Sequence, residues 1–361
     1  MSDARPAVKV KRVQLDLHTA NAPRGSPVNA QTCNSCKIRT QVLFPLRPAA
    51  RPLFAALLGL ACLSAPALLP AAPPLPLGQI PPGKTFLVIH PHHDDHTWQY
   101  GFGGLIARMV EAGYQGAYVR VTNDEKDGPH GRGGNDKVNL REAVEATENL
   151  GIGEVISLNW RNDHMDSIPL NQLRAQLILL IRKRRPDVVM AYNPWGHYDR
   201  NPDHRKVARA VGEAVWLAGH ANIHAEHLAA GLKPFRVPYV YYSQRGDYGK
   251  GYEPNIAIEL SEAHVAKKAR SYWLHRNVRL NPAMGRSIRA QLDAKGLKIP
   301  ELDGLNDEEA TQKIQEWFMY WISEQRGAEN GVKYAEVFYF IDEWDHLPGL
   351  KDYLSENVAP K

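Results

Sequence analysis

Residues 84–96 read Lys-Thr-Phe-Leu-Val-Ile-His-Pro-His-His-Asp-Asp-His, and this stretch decides the fold. Phe86-Leu87-Val88-Ile89 is a short, continuous apolar run rich in β-branched and aromatic residues. Such a run predicts a strand buried on both faces, as in a parallel sheet. Four histidines and two aspartates follow within seven residues, interrupted only by Pro91. A proline there stops the ladder and forces a turn. Imidazoles and carboxylates crowded against the end of a buried strand are expensive to hold together unless a cation neutralises them. Imidazole plus carboxylate, with no thiol, suits Zn²⁺ or another first-row divalent ion.

Working outward, strand and helix signals alternate. A helix is expected over Trp98–Ala112, ending at Gly113, then a strand over Gly116–Thr122 and a polar loop over Asn123–Asn135. A second helix over Asp136–Leu150 stops at Gly151, and Val155–Leu158 makes a third strand. Leu170–Arg185 is a third helix whose basic last turn suits the helix dipole. Asp187–Ala191 is a fourth strand, leading through the polar loop Tyr192–Pro202 into a helix over Asp203–Ala218. A β-rich segment around Val237–Ser243 and a helix over Glu262–Asn277 complete this part. The fold class expected is α/β, a Rossmann-like doubly wound, mostly parallel sheet, with a looser C-terminal extension. In such a sheet of order 3-2-1-4-5, ligands bind between strands one and four. The His/Asp cluster follows strand one. Strand four is followed by Asn193-Pro194-Trp195-Gly196-His197-Tyr198-Asp199-Arg200-Asn201-Pro202-Asp203-His204. Two His/Asp-bearing loops should therefore meet at one switch point, which predicts a metal centre.

The formal charge of +5 misleads if read whole. Residues 1–51 hold nine Lys/Arg against Asp3 and Asp16, leaving 35 basic and 37 acidic residues in the remainder. The excess sits in a leader, so no nucleic-acid partner is expected. Arg47 and Arg51 precede the apolar run Leu53–Ala65, followed by small residues and the Pro-rich linker Pro73–Pro82. A positive flank, a short apolar core and a small-residue exit describe a secretory signal peptide, with the mature chain starting between Ala65 and Pro82. Export to the periplasm or exterior is expected, or a membrane-anchored or cytoplasmic protein if the leader is not a functional signal, with no lasting membrane span in the mature form, since 13 apolar residues are too few. The division expected is a basic, disordered leader (1–52), a signal-like segment and linker (53–82), a metal hydrolase core (83–281) and a C-terminal α/β extension packed on it (282–361). All three cysteines, Cys33, Cys36 and Cys62, lie before residue 83, which excludes disulfides and thiol redox chemistry from the core.

Pro91-His92-His93-Asp94-Asp95-His96, with Gly103-Gly104 beyond, resembles the Pro-His-Pro-Asp-Asp-Glu signature of the PIG-L/LmbE-type zinc-dependent N-acetylglucosaminyl deacetylases. Glu142–Gly151 looks like that family's Glu-Ala-Leu-Gly helix, and Asn201-Pro202-Asp203-His204 resembles its His-Pro-Asp-His element. The resemblance covers about Thr85 to Ser243. It implies a Rossmann-like zinc hydrolase that removes acetyl from an N-acetylated sugar or glycoconjugate, with His92, Asp95 and His204 as zinc ligands and Asp94 as catalytic base. Three positions depart from the pattern: His93 replaces a Pro, His96 replaces a Glu, and Asn201 stands where the family has a His that assists the tetrahedral intermediate. His197 and His96 are the candidates to substitute for it.

The chemistry also follows from residue types. Three protein ligands and an open position mark a catalytic rather than a structural zinc. A neighbouring carboxylate that does not bind metal can take the proton of the attacking water and return it to the leaving amine. In an extended backbone the adjacent Asp94 and Asp95 point opposite ways, so one can bind metal while the other faces substrate. Candidate oxyanion donors are Arg141, His197, Arg200 and Asn201. Trp317, Tyr320 and Trp321 fall at helical spacing and are expected in the core, and Lys267-Lys268 on a solvated helix face. His164 and Asp166 follow strand three and either line the crevice rim or sit in solvent. The alternatives are a hydrolase of another amide, a nucleotide-using enzyme, against which the missing Gly-x-Gly-x-x-Gly after strand one counts, and a non-catalytic, metal-retaining sugar-binding protein.

Overall fold

The computed structural model describes residues 9–12, 73–131, 133–196, 199–243, 253–279, 282–342 and 350–358. The signal-like run Leu53–Ala65 and the three cysteines lie outside these residues, as does His197. Among the described residues, no helix is long and apolar enough to cross a membrane.

The strands are β1 (Lys9–Arg12), β2 (Thr85–His90), β3 (Gln115–Thr122), β4 (Glu154–Trp160), β5 (Val188–Tyr192), β6 (Tyr239–Ser243), β7 (Ile256–Glu259) and β8 (Ala335–Ile341). They lie side by side in the order β1-β4-β3-β2-β5-β6-β8-β7. The central five, β4-β3-β2-β5-β6, are parallel and give the expected 3-2-1-4-5 order of a doubly wound sheet. The order reverses between β2, which pairs Val88 with Met190, and its neighbour β5. Helices α1 (Gly103–Glu111), α2 (Asn135–Leu150), α3 (Leu170–Arg184), α4 (Pro202–Leu217), α5 (Ala225–Ala229), α6 (Glu262–Leu274), α7 (Arg276–Arg279), α8 (Pro282–Asp293), α9 (Asp307–Glu329) and α10 (Leu350–Glu356) complete the fold.

The continuous apolar run of β2 is explained by burial on both sides. Leu87 and Ile89 join Leu177, Ile181, Val211 and Val215 of α3 and α4 in one core. Phe86 and Val88, pointing the other way, join Leu105, Ile106 and Met109 of α1, with Val265 of α6, in the second. Each buried Leu, Ile, Val or Phe contributes roughly 1.5–3 kcal/mol of transfer free energy, which fixes the strand's place between the two helical layers.

Three expectations need correction. The first helix does not begin at Trp98: Asp95–Thr97 is a 3-10 turn and α1 starts only at Gly103. The chain doubles back here, Phe102 N–H donating to His96 O at 3.0 Å. A Cβ on Gly101 would lie 2.5 Å from His96 O, so the turn closes only over glycine. The C-terminal extension does more than pack on the core, because β8 inserts antiparallel between β6 and β7. The basic leader is also not structureless throughout, since Lys9–Arg12 pairs parallel with β4.

Candidate metal centre

The two His/Asp loops meet. His92 and Asp95 leave the end of β2, and His204 sits in the first turn of α4 after the β5 loop. Asn201 caps α4, its Oδ1 accepting from Asp203 N at 2.9 Å, and Pro202 occupies the first helical position. This capping turns Asp203 and His204 inward, where both are buried. His92 Nδ1 and His204 Nε2 stand 3.1 Å apart. Asp95 Oδ2 is 3.4 Å from His92 Nδ1, and Asp95 Oδ1 is 3.4 Å from His204 Nε2. The three residues form a buried group whose donor atoms all lie within 4.8 Å of one another.

The opposite nitrogen of each imidazole is held by a carboxylate. His204 Nδ1 is 2.9 Å from Asp199 Oδ2, and His92 Nε2 is 3.3 Å from Asp203 Oδ2. This arrangement fixes the tautomers and aims one lone pair from each ring at the common point. Asp203 is itself pinned by Asp163 N at 2.6 Å and Met165 N at 3.3 Å, in the turn after β4. That turn therefore serves the site through its backbone, while Asp166 is exposed. Asp95 accepts from Tyr192 OH at 2.9 Å and from His92 N at 2.8 Å. Two imidazoles, one carboxylate and their outer carboxylates are the donor set of a divalent first-row cation, so these residues fit such an ion.

The electrostatics agree. Burial opposes ionisation of Asp95, but the charges of His204 and His92 outweigh it and hold the carboxyl well below its ordinary range. Burial likewise disfavours the His92 imidazolium, yet Asp95 and the Asp203 hydrogen bond raise its pKa well above the usual value. Without a cation the site thus seeks positive charge from a proton, which a metal would displace. His90 and His96 behave differently. Burial lowers them to about 4 and about 3 respectively, so both are neutral near pH 7. His90 packs among Phe102, Tyr118 and Tyr192 as an aromatic core residue.

Asp94 is buried beside the cluster but is not one of its three residues. The extended backbone expected for it is absent: Asp94 has φ −110° and ψ −9° and leads into the 3-10 turn. Successive side chains still diverge there, by roughly 120° at three residues per turn. Arg141 is not brought to the site. It is exposed on α2, while its neighbour Glu142 turns inward. Arg200 is exposed on the β5–α4 loop, and the Asn201 side chain serves as a helix cap.

Other residues depart from their expected places. Lys268 is 1% exposed rather than solvated, and its Nζ lies 2.8 Å from Glu336 Oε1. Glu336 also accepts from Gly104 N and Leu105 N, at 2.9 and 2.8 Å, capping α1. Trp321 is 50% exposed and stacks on Phe318, because Met319 and Ile322 take the buried stripe of α9. A cavity of ≈ 240 Å³ lies beside Lys268, Glu336 and Arg326, and none of His92, Asp95 and His204 lines it. The cluster itself opens on a narrow cleft lined by Tyr192, Asp199, His204 and Ser243. Donor chemistry, not cavity size, marks the site.

Residues 87–215 match the family described as PIG-L, GlcNAc-PI de-N-acetylase. The chain carries a PIG-L domain. The match takes in both motifs, from β2 through most of α4. Diacetylchitobiose deacetylase of Thermococcus kodakarensis is 30% identical over 189 residues, 51% of this chain and 66% of the relative. The 1D-myo-inositol 2-acetamido-2-deoxy-alpha-D-glucopyranoside deacetylase of Mycolicibacterium paratuberculosis is 29% identical over 185 residues, 44% of this chain and 57% of that protein. The chain thus spans just under two thirds, or less, of these curated relatives. Among solved structures, N,N'-diacetylchitobiose deacetylase from Pyrococcus horikoshii superposes with a TM-score of 0.56 at 22% identity, covering 74% of this chain and 89% of that one. That likeness establishes the PIG-L domain's fold.

Proposed function

We propose that this protein is a metal-dependent deacetylase that hydrolyses the N-acetyl amide of an N-acetylglucosamine-type sugar or glycoconjugate. The observation that carries the reading is the convergence of His92 Nδ1, His204 Nε2 and Asp95 at the β2–β5 switch point. The PIG-L match and the two relatives, both named as deacetylases of N-acetylated sugars, support the substrate class.

His92, Asp95 and His204 would hold the ion, with zinc favoured by the donor set. A divalent ion bound there supplies a Lewis acid that acidifies water and polarises an amide carbonyl. Asp94 takes the proton of the attacking water and later delivers it to the nitrogen of the breaking C–N bond, so acetate and a free amine leave. Asp199 and Asp203 hold the two imidazoles in the tautomers that binding requires. Tyr192 and the His92 amide hold the Asp95 carboxylate. His197, in the motif that follows the fourth strand in the sequence, is the residue we assign to the developing oxyanion. We further propose, from its basic flank and short apolar run, that the leader directs export.

A second reading, a metal-retaining sugar-binding protein, is favoured by one observation: Asn201, at the family's His position, spends its side chain on Asp203 N. The test is acetate release from N,N'-diacetylchitobiose and from N-acetylglucosaminyl-inositol, by full-length protein before and after chelation. Release that disappears with the metal and returns with Zn²⁺ supports the enzyme. Sugar binding without release, at full metal occupancy, refutes it.

A further inference from the structure

A second group of metal-competent side chains lies outside the centre described above. His93, Glu142 and His275 each offer one donor atom, and the three atoms lie within 4.8 Å of one another. They come from three separate elements: the loop after β2, helix α2, and the junction of α6 with α7. His93 and His275 are fully buried and Glu142 is 5% exposed. His275 lies beyond residues 87–215, and His93 stands where the family signature has proline, so the group belongs to this chain rather than to the family pattern.

We propose that His93, Glu142 and His275 bind a second divalent cation of the first transition row, separate from the ion at His92, Asp95 and His204. Neither ring nitrogen of His93 makes a hydrogen bond, although the ring is fully buried. Asp124 Oδ2 is 3.6 Å from His93 Nδ1, and the Asp124 carboxylate already accepts from Arg120 at 3.1 Å through Oδ2 and from Thr122 at 2.9 Å through Oδ1. His96, whose ring meets that of His275 edge-on at 5.6 Å, also has both nitrogens without a hydrogen bond. Rings packed edge to face satisfy an aromatic core, and His93 and His275 do meet so, at 5.2 Å and 74°. Aromatic packing leaves the two His93 nitrogens without a hydrogen bond, however, and buried polar atoms in that state are strongly disfavoured. A cation removes that penalty, because a neutral imidazole presents a lone pair to it.

Glu142 is prepared for the role. Both its oxygens accept from Asn277 N, at 2.9 and 3.1 Å, which orients the carboxylate and leaves lone pairs on each oxygen. The competing cation, Arg276, is 3.9 Å away and directed chiefly at Glu145, at 2.7 Å. Two imidazoles and one carboxylate, without sulfur, select Zn²⁺ and its neighbours over Ca²⁺ or Mg²⁺. An ion there ties α2 and the end of α6 to the loop that carries His92 and Asp95. The proposal stands whether or not the protein is a deacetylase.

The test is metal stoichiometry. Full-length protein is stripped with chelator, reloaded with excess Zn²⁺, desalted and analysed by plasma mass spectrometry. Wild type is expected to hold about two equivalents, Glu142→Gln and His275→Gln about one, and Asp95→Asn about one from the remaining site. Glu142→Gln is nearly isosteric and keeps an acceptor for Asn277. If either variant fails to fold, anomalous scattering at the zinc edge on wild-type crystals decides, with a peak expected between His93, Glu142 and His275. One equivalent or none in wild type at saturation, no peak there, or undiminished zinc in both variants overturns the proposal.

Discussion

Replacing Asp199 by Asn tests whether the outer carboxylates build the metal centre or merely fill space around it. Asp199 Oδ2 receives His204 Nδ1 at 2.9 Å, and both groups are buried. With an amide in its place the charge is lost, and the hydrogen bond that keeps Nε2 free for metal weakens. Outer partners of this kind are worth about 10–100-fold in metal affinity, or roughly 1.4–2.7 kcal/mol. Asp199 Oδ1 also accepts from Asn201 N at 2.9 Å. That bond lies at the entry to α4 and is worth about 1 kcal/mol of stability. The two effects separate experimentally. Competition of the stripped protein with a chromophoric chelator reads affinity, and thermal unfolding of the same metal-free sample reads stability. The expected result is weaker binding by one to two orders of magnitude with a melting-temperature loss of only a few degrees. Unchanged affinity with the same small loss of stability would refute the orienting role.

Three further outcomes follow from the structure. Lys268→Met leaves Glu336 buried without its counter-charge and should cost about 3–5 kcal/mol in denaturant unfolding; combining it with Glu336→Gln should cost less than the sum of the single changes. Burial pushes the Asp127 carboxyl up to about 6, so the folded state keeps a proton that the unfolded chain loses above its ordinary carboxylate pKa. Stability of the metal-free protein should therefore fall as pH rises through the window from about 4 to about 6, by at most ~1.4 kcal/mol per unit. In Asp127→Asn that component of the slope should vanish. Gly101→Ala places a Cβ against His96 O and Asp95 O; it should destabilise by about 1–3 kcal/mol and weaken metal binding with it, as unfolding and chelator competition will show.

The sheet was legible because burial on both faces writes itself as unbroken apolar runs, Phe86–Ile89 above all, and because strand order follows from βαβ handedness. The site was legible through the same rule: His and Asp residues after strands one and four had to meet. Partner choice was not. Lys268 on an amphipathic helix gives no local sign that Glu336 will reach it from a strand 68 residues away. Asp199 and Asp203 were visible in the loop sequence, but their assignment to His204 and His92 depends on the turn set by Asn201 and Pro202. The start of α1 is not legible in the sequence, because helical spacing from Trp98 onward carries no information about the chain doubling back over Gly101. The exposure of Trp321 is not legible either, because the spacing marks a stripe without saying which of its neighbours the core takes.

The measurement closest to the central claim compares two chemically identical substitutions one residue apart. Asp94→Asn and Asp95→Asn are each assayed for bound metal and for acetate release from a substrate that the wild type cleaves. Asp94→Asn should keep its metal and lose about 10²–10⁴ in turnover, the usual worth of a general base. Asp95→Asn should lose metal affinity and recover part of its activity at high metal concentration. Equal metal loss in both variants, or full turnover in Asp94→Asn, would contradict the division of labour between ligand and base.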